Sequence, residues 1–102
     1  MEYSIILCDE AKQDILEITK WYDLKSIGLG DRFIEYLDEA VSKLSKNPGA
    51  YSFLYDEVRK IRLKKFPYII FYKTHKQGVL IYGIIHTKRN PFVYKKRLKK
   101  LS

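Results

Sequence analysis

Three runs between Val58 and Ile85 constrain this chain most, because each suits an extended strand and none suits a helix. In VRKIRL (residues 58–63), Val58, Ile61 and Leu63 are interleaved with Arg59, Lys60 and Arg62. This is close to the period of two that sends apolar side chains to one face of a strand and cations to the other. Phe66–Tyr72 and Val79–Ile85 are aromatic and β-branched runs of strand length. The polar stretch Lys73 to Gly78 separates them, with a glycine suited to a hairpin. The three predict an antiparallel meander with a basic face.

Ahead of the meander the period changes to that of helices. Ala11, Ile15, Ile18 and Tyr22 recur at spacings of 4, 3 and 4, one apolar stripe of an amphipathic helix from Asp9 to about Ser26 flanked by Trp21 and Leu24. Asp9 and Glu10 suit the positive end of that helix. Gly28 and Gly30 bracket a tight connection. Phe33, Leu37, Ala40, Val41 and Leu44 then mark a second helix from Leu29 to about Lys46, stopped by Asn47-Pro48-Gly49. Two helices with so short a link form an antiparallel hairpin. Glu2 to Leu7 reads as a first strand, and Ala50 to Glu57 as an aromatic loop tucked under the sheet. The expected fold class is α+β: an N-terminal strand and a helix hairpin packed on one face of a three- to four-stranded antiparallel sheet, with the opposite face and a short C-terminal tail basic.

Charge is divided along the chain as sharply as periodicity. No Asp or Glu follows Glu57, so residues 58–102 carry 14 Lys or Arg and +14, residues 1–57 carry −6, and the whole chain is +8. A field of one sign over half of a small domain repels itself, and it points to an anionic partner. Lys60, Arg62, Lys64, Lys65, Lys88 and Arg89 are the candidate contacts, and the tail adds Lys95 to Lys100 around Tyr94, Leu98 and Leu101.

Length and cysteine content narrow the classes further. At 102 residues, 46% of them hydrophobic, the chain is expected to be one soluble domain spanning residues 1–102. No apolar run approaches a membrane span, and the short apolar start after Glu2 does not suit a signal peptide, so the expected compartment is the cytoplasm. Cys8 is the single cysteine, which excludes an internal disulfide. No Cys/His pair stands at metal spacing, so neither metal nor cofactor is expected. Cys8 reads as a small buried hydrophobe rather than a nucleophile.

The order of elements, with FPYIIFY and HTKRNP, resembles the RelE/ParE superfamily of toxins from bacterial type II toxin–antitoxin modules. The resemblance covers nearly the whole chain. It is carried by Ala11 with Asp14-Ile15, Gly28-Leu29-Gly30 with Phe33, Asn47-Pro48, Phe66-Pro67 with Phe71-Tyr72, and His86-x-x-Arg89. It implies a cytoplasmic toxin neutralised by a cognate antitoxin that wraps its surface.

The superfamily implies two activities. In a RelE-like ribosome-dependent mRNA endonuclease, basic residues surround the phosphate as charge builds, and no metal is needed. By position Lys60, Arg62 and Arg89 match those cations, Tyr94 the late tyrosine, and His86 is the candidate base. Ile69 stands where those ribonucleases carry an arginine. The ParE-like branch, which inhibits DNA gyrase, needs no catalytic group, and the long helix hairpin with the His86-x-x-Arg89 ending resembles it more. A non-catalytic nucleic-acid-binding domain is the third class that the charge allows, with Tyr68, Tyr72 and Tyr82 as the aromatics to place.

Overall fold

A computed structural model describes residues 2–88 and Lys96. The elements run β1 (Ser4–Leu7), α1 (Asp9–Lys25), α2 (Leu29–Lys46), a 3-10 turn (Pro48–Ala50), β2 (Phe53–Tyr55), β3 (Val58–Arg62), β4 (Tyr68–His75) and β5 (Gly78–His86). The expected α+β class is what the chain adopts, with both helices within a residue of their expected bounds. The sheet, however, has five strands in the order β1-β5-β4-β3-β2.

Two of the strands depart from expectation. β1 lies parallel to β5, with Ile5 opposite Val79 and Leu7 opposite Ile81, so the sheet is mixed rather than purely antiparallel. β2 forms within the stretch expected to be an aromatic loop. It pairs with β3 through Phe53 and Arg59, which leaves the Phe53 ring 57% exposed instead of tucked under the sheet.

Both helices pack on one face. Ala11 and Tyr22 of α1 and Phe33, Leu37, Ala40 and Leu44 of α2 are buried against Ile61, Leu63, Ile70, Tyr72, Val79, Ile81 and Ile84. These are the helical stripes legible in the sequence, and Ile15, Ile18 and Val41 pack beside them half-buried. At the hairpin turn Gly28 takes φ 86°, the left-handed conformation that costs other residues steric energy. Asp23 Oδ1 accepts a hydrogen bond from the Gly30 N–H at 2.9 Å. At the other end the Tyr72 hydroxyl donates to the Pro48 carbonyl at 2.6 Å, joining the sheet to the exit of α2.

The second face of the sheet is not simply basic. Val58, Ile69, Phe71 and Ile85 are buried there as a separate apolar cluster, with Leu54 and Tyr82 against it. Val58 and Ile61 are three residues apart, so strand alternation puts them on opposite faces rather than on the shared face expected. A register shift where Phe71 meets Gly83 and Tyr72 meets Ile81 leaves Tyr82 as the extra residue of a bulge. The bulge resets the alternation of β5, so that Ile81 and Ile84 both face the helices. In the β4–β5 hairpin the positive φ falls on Lys76 (56°), and Gly78 instead opens β5.

Candidate functional site: a cationic groove at the sheet edge

Cross-strand partners share a face, so register decides which cations act together. Lys60 lies opposite Phe71 and Arg62 opposite Ile69, and Ile69 lies opposite Ile85. Lys60 and Arg62 therefore stand on the outer face, at the margin of the second apolar cluster. Both are exposed, and among the described residues neither has an acidic partner. Arg59, just before Lys60 in sequence, points the other way. Its Nη1 donates to the Tyr51 carbonyl at 2.5 Å, and its guanidinium sits 3.9 Å from the centre of the Phe53 ring, so it fastens β2 to β3.

A groove of about 620 Å³ opens where β3 continues past Phe53, the start of β2. Its walls include Lys43, Tyr51, Lys60, Arg62 and Lys64, and Leu54, Ile61 and Ile69 give it an apolar lining. Glu39 on α2 bridges two of the cations, at 3.2 Å to Lys64 Nζ and 3.3 Å to Lys43 Nζ. Hydrogen bonds from Lys64 and then Lys43 hold its carboxyl below the ordinary value. A second hollow of about 600 Å³ follows the β3–β4 turn from Arg62 to Pro67 and brings in Lys65.

The candidate residues thus divide. Lys60, Arg62 and Lys64 meet in one groove and Lys65 adjoins it. His86 and Lys88 lie elsewhere, in a hollow of about 480 Å³ beside α1 lined also by Asp14, Glu17, Trp21 and Tyr68. His86 pairs with Tyr68 across the strands, which puts it on the helix-side face. Its ring meets Tyr68 edge-on at 5.3 Å, and its Nδ1 accepts the Lys88 N–H at 3.1 Å. Arg62 and His86 are therefore on opposite faces of the sheet. Ile69 is buried in the second cluster and fills its position with packing. Arg89 and Tyr94 lie outside the described residues.

Sequence reasoning missed Lys43 and Glu39. Their i,i+4 spacing is a visible pairing signal, but the third member, Lys64, joins only through tertiary packing. Cys8, expected to be buried, is half-buried; burial, then Asp9 and Glu10, push its thiol up toward the protonated form. The site offers anion binding by preset cations, and among the described residues His86, the candidate base, is not beside Arg62.

The family model for the ParE toxin of the type II toxin–antitoxin system parDE matches residues 5–91. The chain belongs to this toxin family. No curated protein matches it significantly. Among solved structures, this ParE-family chain is similar to the chromosomal ParDE toxin–antitoxin system from P. aeruginosa, with a TM-score of 0.74 at 19% identity over 83% of this chain and 96% of that one. An arginine double mutant of E. coli toxin RelE in the free state gives 0.73 at 18% identity over 100% of both chains. The toxin–antitoxin complex RelBE2 from Mycobacterium tuberculosis gives 0.59 at 16% identity, over 84% of this chain and 99% of that one. At these identities the likeness is one of fold.

Proposed function

We propose that this toxin arrests growth by ParE-like inhibition of DNA gyrase in the cytoplasm, and that a cognate antitoxin neutralises it. The observation that carries this reading is the separation of Arg62 from His86 by the sheet, with buried Ile69 where a ribonuclease of this superfamily holds an arginine. General acid–base chemistry needs its groups within hydrogen-bond reach of one reacting phosphate, and phosphate stabilisation needs preset cations around it. Here the cations of one face and the imidazole of the other serve different surfaces. A binding inhibitor has no such requirement, and the groove of Lys60, Arg62 and Lys64 serves it as a charged contact.

The toxin–antitoxin pairs among the solved relatives support an antitoxin as partner. The test is a labelled message in a purified translation system, with the folded toxin added. The expected outcome is intact message at toxin concentrations that stop growth in cells. Ribosome-dependent cuts that vanish in Arg62→Ala would instead make the protein a metal-independent endoribonuclease with Arg62 at its site.

A further inference from the structure

We infer that the cavity between α2 and the β1 side of the sheet is a binding site for a small aralkyl ammonium, a single ring on a short chain that ends in a protonated amine. The layer between helices and sheet is divided by side-chain type. Tyr22, Phe33, Tyr36, Phe66 and Tyr68 pack ring against ring toward the hairpin turn. Toward β1 the packing is aliphatic. There α2 is tied to the strand by the Tyr3 N–H, which donates to Ser45 O at 2.7 Å, and by Ser45 Oγ, which donates to Tyr3 O at 3.0 Å. Beside that tie a space of about 220 Å³ is bounded by Ile5 and Leu7 of β1, Ile15 of α1, Ile34 and Val41 of α2 and Ile81 of β5. Among the described residues no aromatic ring lines it.

The lining decides what can occupy the space. Ile and Val are branched at Cβ and restricted at χ1, so closing the gap by rotation costs them their preferred rotamers, and the walls lose contacts across it. Water needs two or more polar partners, and among side chains the walls offer only Asp38. An aliphatic cavity of roughly 150 Å³ already takes benzene or xenon, so one ring fits. A drug-sized ligand needs roughly 300 Å³ or more, which limits the occupant to a fragment. Asp38 of α2 stands exposed at the rim, with no ion pair among the described residues. Its carboxylate favours a cationic head beside the buried ring and repels a carboxylate or phosphate head. This site lies on the helix side of the sheet, and its occupant does not depend on which target the toxin meets.

The test is methyl correlation spectroscopy on toxin labelled at isoleucine, leucine and valine methyls, titrated with phenethylamine and, as the neutral probe, toluene. Both are expected to bind with a Kd on the order of 1 mM. They should move the methyls of Ile5, Ile34 and Ile81, while those of Ile69 and Ile85, buried in the cluster on the other face, stay in place. Asp38→Asn is expected to weaken phenethylamine about 3-fold and to leave toluene unchanged. Val41→Phe puts a ring of the chain's own into the space and is expected to abolish binding of both. If that variant does not fold, nuclear Overhauser contacts from toluene to Ile34 and Ile81 in the wild type decide, and their absence overturns the site. Neither probe moving these methyls at about 10 mM, or equal shifts in folded Val41→Phe, also overturns it. Unchanged phenethylamine affinity in Asp38→Asn overturns the ammonium. Shifts that follow toxin concentration rather than probe make the space an interface between copies and overturn the ligand.

Discussion

Tyr72 shows how one residue ties the sheet to the helices. Its ring is fully buried, its hydroxyl donates to the Pro48 carbonyl, and burial pushes its phenol up to about 12, with Tyr51 raising it further and Arg59 opposing. Tyr22, buried between Phe33 and Phe66, is likewise pushed up to about 12, by burial first and then by Tyr68. In the unfolded chain a phenol titrates near 10. Between that value and about 12 the unfolded state holds fewer protons than the folded one, so stability is fully present below pH 10 and falls as pH rises through this window. Thermal unfolding followed from pH 8 to 12 should show the fall, and the double variant Tyr22→Phe/Tyr72→Phe should flatten it. At neutral pH, Tyr72→Phe alone is expected to cost about 1–3 kcal/mol, because it leaves the Pro48 carbonyl without its donor. Only part of this was legible beforehand. A tyrosine in a strand run suits core and rim alike, and its partner 24 residues earlier is set by where Asn47-Pro48-Gly49 stops α2.

Among the elements, the helix hairpin was the most legible and the sheet edges the least. A stripe such as Phe33, Leu37, Ala40 and Leu44 repeats over enough turns to fix face, length and type together. A three-residue edge strand such as β2 has no period to display, and Phe53 and Tyr55 read as core until pairing with β3 turns them outward. The phase of β5 was hidden for a related reason, since the bulge at Tyr82 breaks the alternation that would have revealed it. The short β1 leaves Ile84 N–H beyond its reach, and α1 supplies the missing acceptor through Asp14 Oδ2 at 3.0 Å. The hairpin turn makes its own prediction. A Cβ on Gly30 would lie 2.6 Å from Asp23 Oδ1, so Gly30→Ala must displace the carboxylate that accepts the Gly30 N–H. Chemical denaturation should show a loss of about 1–3 kcal/mol. Asp23→Ala should lose less, and the double variant less than the sum of the two, since both remove one contact.

Over the whole molecule, the charge split of the sequence becomes a division of surfaces. The acids lie mostly on the two helices, and five cations, Arg59, Lys60, Arg62, Lys64 and Lys65, follow one another along β3 and the β3–β4 turn, where α2 reaches over through Glu39 to hold Lys43 and Lys64. The expectation of a wholly basic outer face fails because Val58, Ile69, Phe71 and Ile85 occupy its middle, which confines the charge to a margin. Strand register puts His86 on the other face, away from Arg62. That separation favours a protein that binds its target over one that cleaves a message. The decisive measurement is supercoiling of relaxed plasmid by purified gyrase with increasing folded toxin. Supercoiling is expected to stop, adding the antitoxin is expected to restore it, and His86→Ala is expected to inhibit as wild type does. Undiminished supercoiling at a large excess of folded, antitoxin-binding toxin would contradict it.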